Sequence, residues 1–119
     1  MSNRIRNVQI TQRHWDAAEA ELWVTVEPEL LTPTTEVRGR LMGPRCPGIT
    51  TVEVAYPLRP LLRPQPGQAG LTMRVIIPDP VAWELGRPFV YEGPVELWQD
   101  GQKCDQVPVR VVGRAVTGS

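Results

Sequence analysis

The stretch Phe89-Val90-Tyr91-Glu92-Gly93-Pro94-Val95-Glu96-Leu97-Trp98-Gln99-Asp100-Gly101-Gln102-Lys103 decides the architecture. Phe89 to Gln99 reads as a strand, with Val95 and Leu97 on one side and Trp98 on the other, the period of two expected of a half-buried strand. Asp100-Gly101 supplies the positive backbone angles of a tight turn. Lys103 to Val116 then reads as the returning strand. A hairpin cannot bury its apolar side alone, so the rest of the core must come from other strands.

The chain upstream provides them. In Glu19 to Glu27 the residues Ala20, Leu22, Val24 and Val26 share one face, Glu21, Trp23, Thr25 and Glu27 take the other, and Pro28 ends the run. Thr35 to Met42 alternates through Val37, Gly39 and Leu41, and Gly43 to Gly48 reads as the turn that stops it. Thr50 to Leu58 puts Val52, Val54, Tyr56 and Leu58 on the core side. Arg59 to Gly70, with Pro60, Pro64, Pro66 and Gly67, reads as a loop. Leu71 to Ile77 resumes the alternation, closed by Pro78 and Pro80, and Asn7 to Gln12 is a weaker first strand. Ala17 to Leu22 could instead start a short helix, although Trp23 to Val26 favours strand. About seven strands with regular turn signals predict an all-β, immunoglobulin-like two-sheet antiparallel β-sandwich.

Composition agrees with this reading. The 119 residues fit a single domain spanning 1–119, with residues 1–6 expected to fray. Thirteen prolines, roughly double ordinary usage, argue against a helical bundle. Thirteen basic and 13 acidic residues cancel, so no long-range field favours nucleic acid or an anionic membrane. No apolar run follows Arg4 and Arg6 as a secretion signal would require, and none is long enough to span a bilayer. The expected location is the cytoplasm.

Reactive groups are scarce. His14 is the only histidine, and the only serines are Ser2 and Ser119, which leaves no Ser-His-Asp relay. Cys46, Cys104 and His14 lack the paired spacing of a zinc site, and there is no glycine-rich phosphate loop, so no cofactor or metal is expected. Cys46 lies in an apparent turn and Cys104 in a strand where a small apolar residue would serve. Without an export signal, unpaired thiols are expected. None of the carboxylates stands out as an acid–base pair.

Several motifs together resemble the immunoglobulin-like sandwich domain of family-2 glycoside hydrolases: Ile77-Pro78-Asp79-Pro80-Val81-Ala82-Trp83, then Pro88-Phe89-Val90-Tyr91, then Val95-Glu96-Leu97-Trp98-Gln99-Asp100-Gly101, then Asp105 and Arg114. The resemblance runs mainly over residues 77–114, with the glycine of Val112-Gly113-Arg114 displaced by one position from the family's Gly-x-Arg. It implies a non-catalytic accessory domain, because that family's two catalytic glutamates lie on a separate barrel. Trp83 and Tyr91 are expected to fill the end of the sandwich core, their polar atoms turned outward.

Four of the seven aromatics are tryptophan. Trp23 and Trp98 are out of phase with the aliphatic residues of their strands and should face outward, as a partner hot spot or a platform for a sugar ring. Arg59, with Pro57 and Pro60 beside it and Arg63 beyond, resembles a cation-flanked polyproline ligand. From Glu36 to Arg63 five arginines face two glutamates, a mildly basic side that reads as a solvated face. The expected function is a non-catalytic module for protein interaction or scaffolding. The alternative is a small carbohydrate-binding module using Trp23 and Trp98.

Overall fold

The structure, a computed structural model, describes residues 3–61 and 70–113. Eight strands run in chain order: β1 (Ile5–Trp15), β2 (Glu19–Pro28), β3 (Thr35–Arg45), β4 (Val54–Pro57), β5 (Arg59–Pro60), β6 (Leu71–Pro78), β7 (Val90–Gln99) and β8 (Gln102–Val111). They form two antiparallel four-stranded sheets, ordered β1-β2-β6-β5 and β4-β3-β7-β8. This is the ABED and CFG arrangement of an immunoglobulin sandwich, with β4 as an extra strand beside β3.

The alternating runs build the core. Ala20, Leu22, Val24 and Val26 of β2 are fully buried beside Val75 and Ile77 of β6, and Leu41, Val95 and Leu97 face them from the second sheet. Each of the valine, leucine and isoleucine side chains contributes roughly 1.5–3 kcal/mol by leaving water. The β7–β8 hairpin turns as expected, with Gln99 paired to Gln102 and φ of 51° at Asp100 and 77° at Gly101.

Other expectations are refined or corrected. The first strand is longer than Asn7 to Gln12: β1 begins at Ile5, and ahead of it the Asn3 side chain bonds both the N–H and the C=O of Leu30. The strand reading of the Ala17 to Leu22 stretch holds over the helix: β2 begins at Glu19, and the turn before it is bridged by the Asp16 N–H to Glu19 carbonyl bond at 3.0 Å, with the Asp16 carboxylate accepting the N–H groups of Ala18 and Glu19. β3 runs on through Arg45, with a register shift after Met42, and the turn that follows is only Cys46 to Ile49. Of the predicted Thr50 to Leu58 strand only Val54–Pro57 pairs. Val52 is 87% exposed and Val54 47%, while Leu58 reaches the core. Arg59–Pro60, expected in a loop, pairs with β6. Pro64, Pro66 and Gly67 of that loop, and Arg114 to Val116 of the last predicted strand, lie outside the described residues.

Trp15, rather than Trp83, fills the end of the core. Its ring is buried and meets Tyr91 edge-on at 6.1 Å, while Trp83 is 38% exposed. Tyr91 is buried and its hydroxyl accepts the Val81 N–H at 3.0 Å, much as the tyrosine corner of immunoglobulin sandwiches bonds upstream backbone. Cys46 is buried, and Cys104 lies in β8 as expected, half-exposed with its thiol bonding the Gln102 carbonyl. Both thiols are free: Arg45 pairs with Val90 at one end of β7 and Asp105 with Leu97 near the other, which keeps Cys46 and Cys104 apart.

Candidate functional site

A cleft of about 680 Å³ opens where β3 ends and β7 begins. The chain reaches it by three routes. The Cys46–Ile49 turn closes through the Ile49 N–H to Cys46 carbonyl bond at 3.2 Å. The segment between β6 and β7 is pinned by the Trp83 N–H to Gly113 carbonyl bond at 2.9 Å, and Val112 follows β8. The apolar walls are Pro47, Ile49, Trp83, Pro88, Val90 and Val112. Ile49, Trp83 and Val112 are all substantially exposed, and Leu85, at the tip of the neighbouring Glu84–Arg87 turn, is 92% exposed. Large apolar side chains gathered at one rim are the usual mark of a contact surface.

The polar side of the cleft is a chain of ion pairs. Arg45 Nε bonds Glu53 Oε1 at 2.6 Å, Arg45 Nη1 bonds Glu92 Oε1 at 3.2 Å, and Arg110 Nε bonds Glu92 Oε2 at 3.1 Å. Beyond it a second groove of about 580 Å³ shares Arg45, Glu92 and Arg110 and continues along Pro94, Gln106 and Pro108. The hydrogen bonds from Arg45 and then Arg110 hold the Glu92 carboxyl below its ordinary range, and donating to Glu53 and then to Glu92 holds Arg45 still more firmly charged. A glycosidic acid needs its carboxyl pKa raised. Here the arginines push Glu92 the other way, and the cleft sets paired charge beside apolar surface.

Trp23 and Trp98 face outward from β2 and β7, but on different sheets, so they line opposite outer faces of the sandwich and form no shared platform. The two are built alike. Trp23 Nε1 donates to Glu21 at 2.8 Å with the Arg13 guanidinium 4.3 Å from the ring centroid, and Trp98 Nε1 donates to Glu96 at 3.0 Å with Arg38 at 4.0 Å. Each indole is thus covered on one face by a stacked cation. The Trp23 bond, followed by that from Arg74, also lowers the Glu21 pKa. Arg59 is exposed on β5 across from Arg74 and beside a groove of about 350 Å³, remote from Trp83, and Arg63 lies outside the described residues. His14 is exposed and bonds Asp16 at 2.7 Å.

The sequence reading did not single out Ile49, Val112 or the Arg45–Glu92–Arg110 chain. These positions lie at strand ends and in turns, where period-two alternation says nothing about exposure. The available signal was Trp83, an aromatic residue flanked by Pro80 and Pro88 and outside any strand.

Neither a family model nor a curated protein sequence matches this chain. Solved structures do. A β-glycosidase from Bacteroides vulgatus superposes with a TM-score of 0.64 at 13% identity, over 95% of this chain and 14% of that one. A β-glucuronidase from Bifidobacterium dentium gives 0.63 at 19% identity, over 93% and 18%. A glycosyl hydrolase family 2 member from Bacteroides cellulosilyticus gives 0.58 at 14% identity, over 92% and 14%. The chain has the fold of a sandwich segment in these glycosidases. It spans less than a fifth of each of their lengths, and nearly all of its own length is accounted for by that segment.

Proposed function

We propose that this family-2-like sandwich is a non-catalytic accessory domain whose cleft at Trp83 docks a neighbouring protein. The observation that carries this reading is the rim itself: Ile49, Trp83 and Val112 expose apolar surface around the cleft, beside a polar side whose charges are already paired. A contact there desolvates rings and aliphatic groups without stripping water from an unpaired charge. The segment matched in the glycosidases is a small part of much longer chains, which supports an accessory role. The test is a photo-crosslinking residue placed at Trp83 or, as a control, at Trp98, in the native cell. One discrete protein adduct from position 83 and none from position 98 is expected. Diffuse labelling from both positions, or glycoside hydrolysis by the purified chain that depends on one of its carboxylates, overturns the reading.

A further inference from the structure

Among the described residues the four sheet edges are not equally protected. β4 is four residues long and ends at Pro57, and β5 is two residues long and ends at Pro60. β8 is long, but Pro108 stands opposite Pro94. Neither proline has an N–H to give the other, so the ladder turns the Pro108 nitrogen to the open side, where it offers no donor. β1 has no proline or glycine from Ile5 to Trp15, and its register shifts fall outside residues 7–12. Long proline-free edges are templates for pairing with another strand.

The hydrogen bonds settle which β1 groups face that opening. The Asp79 N–H donates to the Ala18 carbonyl at 2.9 Å, extending the register in which Glu19 faces Pro78. Backbone groups alternate sides along a strand, so Ala20, Leu22, Val24 and Val26 bond β6, and Trp23, Thr25 and Glu27 bond β1. Their partners are Thr11, Gln9 and Asn7. The N–H and C=O of Val8 and Ile10 therefore point away from β2, while their side chains pack against the core.

We propose that β1 is a self-association edge, with two copies of this chain pairing antiparallel through Val8 and Ile10 to join their four-stranded sheets into one of eight. The register follows from the sequence. With Gln9 on the two-fold axis, Val8 of one copy faces Ile10 of the other, Asn7 faces Thr11 and Arg6 faces Gln12, so apolar meets apolar and no cation meets another. Moving the axis to Ile10 would set Val8 against Gln12 and Arg6 against His14. This pairing leaves the Trp83 cleft, in the other sheet, uncovered.

Sedimentation equilibrium of the full chain tests the idea. A dimer is expected, and Gln9→Lys and Gln9→Asp, both exposed substitutions, should each weaken it about fivefold by opposing like charges across the axis. Mixing the two variants one to one should restore it, because Lys then faces Asp. Circular dichroism confirms that each variant is folded. A wild-type chain that stays monomeric to about 1 mM, variants that associate as the wild type does, or a mixture that fails to recover overturns the proposal.

Discussion

The backbone N–H of Ile5 donates to Asp105 Oδ2 at 2.8 Å, joining β1 of one sheet to β8 of the other across 100 positions of sequence. Both strands are edges, so the bond ties the two sheets together at the start of β1. Asp105 lies in the stretch that resembles the family-2 sandwiches, and this tie gives the position a structural role.

Replacing Asp105 with Ala should therefore destabilise the fold by about 1 kcal/mol, below the usual range for a charge-assisted bond because the site is partly solvated. Its pKa is held below the ordinary 3.8 by the N–H groups of Ile5 and then Gln106. A carboxylate with a depressed folded-state pKa stabilises above its unfolded pKa and loses that contribution as pH falls through the folded value. The difference in urea midpoint between wild type and Asp105→Ala should be full at pH 7 and shrink steadily below about pH 4. A difference independent of pH would mean that the carboxylate charge is not involved.

Tyr91 titrates in the opposite sense. Burial pushes its hydroxyl above the ordinary 10.0, only partly countered by the Val81 N–H. The neutral form is thus favoured in the fold, and this contribution is present below about pH 10 and lost as pH rises through the raised value. Tyr91→Phe leaves the Val81 N–H without its acceptor and should cost about 1 kcal/mol at neutral pH. The variant should also lack the wild type's extra loss of stability in alkali. Thermal melts at pH 7 and above pH 10 check both outcomes.

These two residues mark how far the chain could be read before its structure. β2, β6 and β7 followed their alternation because each has neighbours on both sides and a buried face, so a one-residue slip would expose every aliphatic side chain. Thr50 to Leu58 alternates as cleanly, yet it lies at an edge, and the chain leaves the sheet where the Thr51 hydroxyl bonds the Pro44 carbonyl. Nothing there couples pattern to burial. The outward phase of Trp23 and Trp98 was readable from their strands, but their stacking on Arg13 and Arg38 requires knowing which strands are neighbours. The Trp83 cleft is assembled from turns joined only in three dimensions, and no local pattern announces it.

Gly113 offers a purely steric prediction. A Cβ at this position would fall within the Trp15 ring, which is itself buried against Tyr91. Gly113→Ala must displace that ring and should destabilise the domain by about 1–3 kcal/mol, as overpacking does. Gly48→Ala is the contrast, since nothing lies near its Cβ and its cost is confined to a φ of 78°. The Gly113 variant should also change the near-ultraviolet circular dichroism of the aromatic cluster, and the Gly48 variant should not.

The stacked guanidiniums give the last prediction. If Arg38 and Arg13 are what cover the Trp98 and Trp23 faces, then Arg38→Ala and Arg13→Ala should each raise acrylamide quenching of tryptophan fluorescence while leaving the fold intact. Both arginines act at the surface, where the loss of one cation–π contact is small against the buried core. The uncovered rings are also the fair test of the sugar-platform alternative. Adding oligosaccharide should leave the emission of the wild type unchanged, because each ring stands alone on its own face. Emission that shifts with sugar in the wild type, and shifts further in Arg38→Ala, would instead make Trp98 a single-ring carbohydrate site gated by Arg38.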